Sequence, residues 1–271
     1  MISALKTIAA LARASWLVAV SFRLNMVLSI AGLLFSIVPL FYIATALQSK
    51  MGPVIASEGG QFFSFVLIGG IAMAFMTFSL NALPDVIGSS IGGGTFETII
   101  AAPTPLPVVL AGLTAYDLSW QVVRAAFMLI FGTFFGATFA WTHLPAAALV
   151  LALIMLAHLP LGMMAAAMRL IFRTSGPMVP LILILSTLLG GVYYPTSVIP
   201  TSWIQNVSAL VPLSYGLRAL RGVVISGRPL SAVSNDLAAL FVFIGVLGIV
   251  GLASLTWALN YARRRGTLSQ Y

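Results

Sequence analysis

The chain has 271 residues, of which 61% are hydrophobic and only 7% charged, with a mean hydropathy of +1.10. A water-soluble domain carries about a quarter charged residues, so this composition excludes a solvated globular surface and makes lipid the solvent. The net charge of +8, from 13 Lys+Arg against 5 Asp+Glu, brackets apolar runs instead of forming a stripe, which sets nucleic-acid binding aside, and the lack of Cys excludes disulfides, thiolate metal sites and cysteine nucleophiles.

In a bilayer core the backbone must satisfy itself, as helices or as a closed barrel. Barrel strands alternate apolar and polar residues over about ten positions. The apolar runs here are continuous and longer, which predicts an all-α polytopic membrane protein. Residues 1–24 read as an interfacial helix: Leu5, Ile8, Ala12 and Trp16 follow helical spacing, while Lys6 and Arg13 share another face. A signal peptide is the rival, opposed by Arg13 within the would-be apolar region and by the lack of a convincing small-residue cleavage site. The first and second spans fall at 25–47 and 61–83, 23 residues each, enough to cross about 30 Å of hydrocarbon. A short loop with Lys50 and Glu58 joins them.

Residues 84–114 change character, Gly-rich and then Pro-rich, with Asp85 and Glu97 as the only charges. In the stretch GGGTFETIIAAPTPLPVV, 92–109, three glycines break the backbone and Thr95 offers an N-cap oxygen. Glu97 sits in the first turn, where an acid complements the helix dipole, and Pro103 stops the helix after about two turns. Pro105 and Pro107 are expected to hold the exit extended. The result is a short, stiff helix between spans two and three, suited to receiving a push from a partner; an ordinary interfacial turn is the plainer alternative.

The third span is expected within 115–141, followed by a tight turn at 142–145. Asp117 and Arg124 are the only ionisable pair inside a predicted span, two turns apart on one face. An intramembrane charge is a functional hypothesis by default; otherwise both snorkel to the interface or pair with another span. Gly132 and Gly136 form a small-xxx-small motif, which either joins two copies or packs helices within one chain. The fourth span, 146–168, ends at Arg169 and Arg173. Within it His158 reads as a packing histidine bonded to a neighbouring helix, and with only His143 besides, no histidine metal cluster can form.

The fifth span runs from Pro177 to about Tyr194, and the sixth covers 237–260 before the basic Arg263–Arg265 tail. Between them, Pro195, Pro200 and Pro212 exclude one continuous helix. Tyr193, Tyr194, Trp203 and Tyr215 are aromatics favoured at the membrane–water boundary. The apolar piece 204–211 is too short to span, so re-entrant or interfacial helices are expected here. Six spans put both termini on one side. With that side cytoplasmic, Lys6, Arg13, Arg23, Arg169, Arg173 and Arg263–Arg265 lie inside, against Lys50, Arg218, Arg221 and Arg228 outside.

No phosphate-binding G-x-x-x-x-G-K-[ST] loop, G-x-S-x-G elbow or H-E-x-x-H pair occurs. No catalytic residue and no metal site is therefore expected. Six spans, an amphipathic N-terminal helix and a G-T-x-E helix followed by Pro resemble the permeases of ABC type-2 exporters. The segment GGVYYPTSVIPTSWIQNVSALVPLSYGLRALRG, 190–222, is similar to that family's Pro-bracketed outer segment with its Trp, Pro-x-[ST]-Tyr and a late Leu-Arg. The resemblance implies a coupling helix at Thr95, Phe96, Glu97, Thr98 and Ile99, and an outer gate at Tyr193, Tyr194, Pro195, Trp203 and Tyr215. It also implies a second permease copy or paralogue and a cytoplasmic ATPase subunit that holds the ATP and Mg, this chain binding no cofactor and working in an inner membrane.

Spans rich in Phe, Met and Leu fit a hydrophobic drug-like or lipid substrate, with a glycolipid or polysaccharide as the alternative. An ion-coupled secondary transporter would need intramembrane acids in number and, often, inverted repeats, neither of which is apparent.

Overall fold

The computed structural model describes residues 2–21, 23–172, 174–196 and 201–265; Arg173 and Pro200 fall outside them. Among the described residues there are ten α-helices and no strand. They are α1 (Ile2–Ser21), α2 (Arg23–Met51), α3 (Phe62–Gly92), α4 (Phe96–Ala101), α5 (Leu106–Phe134), α6 (Leu144–Phe172), α7 (Met178–Leu189), α8 (Ser202–Ser208), α9 (Pro212–Val224) and α10 (Ser234–Arg265). Five stretches are long and apolar enough to cross a membrane: Met26–Met51, Phe62–Gly92, Leu106–Phe134, Trp141–Phe172 and Leu230–Ala262.

The expected boundaries shift where proline chemistry was misjudged. α3 continues nine residues past the expected end at 83, straight through Pro84. Proline interrupts a membrane helix less than a soluble one, because neighbours re-satisfy the freed carbonyl. The carbonyl that Pro84 frees is Leu80 O, one turn back, which faces Gly162 of α6, where a Cβ would stand 3.1 Å from it. Pro84's own carbonyl accepts from Arg169 Nη1 at 3.1 Å, and Arg169 pairs with Asp85 at the same distance. α5 begins at Leu106, well before 115, with Pro105 as its N-cap and Pro107 in its first turn. Those positions need no intrahelical N–H, so the prolines start the helix that they were expected to keep extended. The turn expected at 142–145 instead covers 135–143, closing with a 3₁₀ turn at Trp141–His143.

The fifth span is the main departure. Its helix, α7, has only 12 residues and ends at Leu189, where Gly190 caps it and Gly191 adopts a left-handed φ of 80°. Twelve residues rise ~18 Å, short of a core of about 30 Å.

α3 forms the centre, with Phe65, Leu67, Ile71, Met76 and Leu80 all buried. α6 lies between α3 and α10 at backbone contact. A Cβ on Gly162 would stand 2.5 Å from Ser79 O, and one on Gly251 would stand 2.7 Å from Pro160 O. Small residues let membrane helices approach this closely, and Ser79 Oγ seals the α3–α6 seam by donating to Met155 O at 2.6 Å. Gly162→Val should therefore lower stability by about 1–3 kcal/mol through overpacking. Gly248→Ala, which meets nothing within 4 Å, should leave the thermal midpoint in detergent unchanged or slightly raised.

α1 packs along the first half of α5: Leu11 meets Gly112, and Trp16 makes an edge contact with Tyr116 at 5.7 Å. Of the Gly132/Gly136 pair, Gly132 packs within the chain. Gly132 lies against Leu67 of α3, and Gly136 falls beyond the end of α5 with a φ of 85° that favours glycine.

Candidate functional site

The stretch singled out between spans two and three does form a helix, α4, six residues long. It ends because Ala102 turns extended (ψ 142°) ahead of Pro103. The expected cap is not made: Thr95 has near-helical backbone angles, and its hydroxyl turns back to Ser90 O at 3.3 Å. What fixes α4 is Phe96, 3% exposed, which inserts among Leu83, Ile87 and Leu110. Glu97 and Thr98 are exposed and Ile99 is half-buried. The element is thus a rigid knob, anchored at one residue and bare at the next two.

The opposite end of the bundle is organised by Arg221 of α9, 2% exposed. Its Nε donates to Phe65 O at 3.3 Å, Nη1 to Gly191 O at 2.9 Å and Nη2 to Val192 O at 2.8 Å. Its Cζ sits 3.3 Å from the centroid of the Phe65 ring, and Nη1 lies 3.5 Å from Glu58 Oε2. Burial raises the Glu58 carboxyl above its usual range, and Arg221, then Arg218 and Arg228, pull it back down. One guanidinium therefore ties together the loop after α2, the start of α3, the turn after α7 and α9. Serines complete the knot: Ser208 Oγ donates to Leu189 O, and Ser214 Oγ donates to Ser208 O at 2.9 Å. Val192 O rests on Gly69, seven residues into α3, so α7 stops ~10 Å short of the end of α3.

Sequence reasoning counted Arg221 as a charge in an outer segment and placed a late Leu-Arg in the resembling stretch, without assigning Arg221 a structural role. The available signal was register: Arg221 follows Leu217 by four residues and Leu213 by eight, so it lies on the buried stripe of α9. Arg218 lies off that stripe and bonds Asp236 of α10 at 2.6 Å.

The expected gate aromatics are not gathered at one point. Tyr193 and Trp203 are exposed, at 49% and 64%. Tyr194 donates its hydroxyl to Leu188 O at 2.5 Å, and Pro195 is buried. Tyr215 points elsewhere, packing against Phe243 of α10 with Arg218 over its ring at 4.9 Å.

In the interior, His158 is fully buried, but its Nδ1 bonds Ile154 O of its own helix at 2.7 Å, not a neighbouring helix as expected. Asp117 is exposed on α5, and among the described residues neither it nor Arg124 makes an ion pair. Two cavities flank α5. The larger, about 860 Å³, separates α5 from α6 over a floor of Ile71, Phe75 and Ser79, with exposed Val122, Ile130 and Leu156 on its rim. The smaller, about 340 Å³, lies between α2, α3 and α5 and takes in Thr77, Gln121 and Arg124. Residues 7–225 match the family model described as ABC-2 type transporter. No curated protein matches the chain.

Proposed function

The chain belongs to the ABC-2 type transporter family, and from that premise we propose that it is the permease subunit of an ATP-driven exporter whose ATPase is a separate polypeptide. It is a multi-pass membrane protein, and the observation that carries the finer reading is α4. This knob is anchored by Phe96 between two membrane-crossing helices and presents Glu97 and Thr98 outward, as a receiver for an ATPase's motion needs. ATP and Mg belong to that partner. A second copy or a paralogue completes the pathway.

In this reading the bundle crosses the membrane six times, the short α7 being completed by the turn and the α8–α9 pair beyond it. Both termini are cytoplasmic, in the inner membrane. Support comes from the basic residues assigned outside, since three of the four have structural partners: Arg218 with Asp236, Arg221 with Glu58, and Arg228 with Ser57 O at 3.2 Å. The substrate is a hydrophobic or lipid-like molecule. The 860 Å³ cleft supports this, because its lining is apolar apart from Ser79 and Thr114; a glycolipid or polysaccharide path would present more polar groups.

Single cysteines test the orientation in a chain that has none of its own. At Ser57 and Asn206, both exposed, they should react with a membrane-impermeant maleimide in intact cells; at Thr98, also exposed, only after permeabilisation. Labelling of Thr98→Cys in intact cells would reverse the topology and remove α4 from reach of a cytoplasmic ATPase.

A further inference from the structure

Arg124 is held deep in a membrane-crossing helix and, among the described residues, makes no ion pair. Its depth follows from Gln121, one turn earlier, whose Nε2 donates to Ala74 O at 3.1 Å. Ala74 lies twelve residues past Phe62, ~18 Å along α3, close to the middle of a core of about 30 Å. The Arg124 guanidinium stands over the Trp120 ring, 5.8 Å from its centroid, and Nε is buried without a hydrogen-bond partner. Asp117 is two turns away, ~10 Å along the axis, and the ion pairs of the described residues join Arg169, Arg218 and Arg221 to other acids.

The cavity of about 340 Å³ lies directly against this group. Arg124, Gln121 and Thr77 supply its polar side chains; Leu33, Phe75 and Met128 make it otherwise apolar. A half-buried arginine at membrane depth with no acid in ion-pair range is costly, and guanidinium is shaped to bind phosphate or carboxylate through two N–H groups. Ile71, Phe75 and Ala125 form a wall shared with the larger apolar cleft. We propose that this cavity is a binding station for the acidic group of an amphiphile, a phosphate or carboxylate carried on an apolar tail. A resting bilayer lipid keeps its head group ~15 Å from the midplane, so the anion at Arg124 belongs to a molecule drawn into the chain. As a statement of substrate class this rests on the permease reading; the binding itself does not.

Trp120 reports on the site. In a chain carrying Trp16→Phe, Trp141→Phe, Trp203→Phe and Trp257→Phe, its fluorescence is followed in vesicles doped with dibrominated phosphatidylglycerol, dibromostearic acid or dibrominated phosphatidylcholine. At least one acidic quencher should reach half-quenching at about a tenfold lower mole fraction than the zwitterionic lipid, the ratio that a charge-assisted hydrogen bond carries. Which acid does so identifies the source, lipid or free acid. Arg124→Gln should abolish the preference and Arg124→Lys should keep part of it. A matching chain that retains only Trp257, with Arg124→Gln, verifies the fold by unchanged quenching with the zwitterionic lipid. Equal quenching by all three compounds, or a preference that survives Arg124→Gln, overturns the proposal. A preference found in a chain that fails to export with its ATPase would leave the site standing and refute the transport reading.

Discussion

Arg221→Met should destabilise the protein by about 3–5 kcal/mol, the usual cost of removing one member of a buried charge pair. The change strips donors from the carbonyls of Phe65, Gly191 and Val192 and leaves Glu58 without its nearest counter-charge. Thermal unfolding in detergent, read by intrinsic fluorescence, measures it. Arg221→Lys should recover only part of the loss, because an ammonium cannot reproduce the fork that meets three carbonyls. Glu58→Gln should be much milder. The folded chain raises the carboxyl's pKa, so its contribution is greatest below the ordinary carboxylate range and falls as pH rises through the raised value. At neutral pH the ionised carboxylate is therefore already held at a cost that the amide avoids. An Arg221→Met chain that unfolds at the wild-type temperature would remove Arg221 as the organiser of that end.

Glu97→Lys should leave expression and thermal stability near normal while reducing export and substrate-stimulated ATP hydrolysis. At an exposed first-turn position the lost dipole interaction is worth only about 0.3–1 kcal/mol, and Phe96 still anchors the helix. Reversing a charge at a complementary contact costs about 2–5 kcal/mol, which weakens docking on the order of a hundredfold. Glu97→Gln should retain most activity. The control belongs at the far end of the bundle on an exposed residue, and Asn206→Lys serves; Glu58 cannot, since a cation there would face the buried Arg221. Wild-type export and ATPase stimulation by Glu97→Lys would refute the assignment of α4 as the receiver.

What was legible in the sequence was whatever depends on neighbours in the chain. Hydropathy located the long helices, and glycines followed by Pro103 located α4, because those signals act within a few residues. Boundaries slipped where one residue type has two uses. Pro84 sits inside a helix packed on α6, where Gly162 lies against the carbonyl that Pro84 frees and Arg169 bonds Pro84's own, and Pro105 and Pro107 begin one. The Arg221 cluster was hidden for the same reason at longer range: its carbonyl partners lie from 29 to 156 residues away. The resemblance groups Tyr215 with the gate aromatics, and its side of α9 turns it toward α10. The contact of Gln121 with Ala74 was invisible too, since it joins residues 47 apart on two helices.

The cleft between α5 and α6 has a mechanical consequence. Its rim is bare hydrocarbon-facing side chain, and α5 carries α1 on its flank while α4 leads directly into its first turn. In the proposed permease, a load applied at α4 would bear on a helix whose α6-facing side borders an apolar cleft instead of packed side chains. Where acyl chains fill that cleft, the resisting spring is the bilayer: widening the cleft enlarges the area the molecule occupies in the plane, and narrowing it squeezes acyl chains out. Membrane tension and lipid shape thus enter the energetics of the stroke as directly as any side chain does.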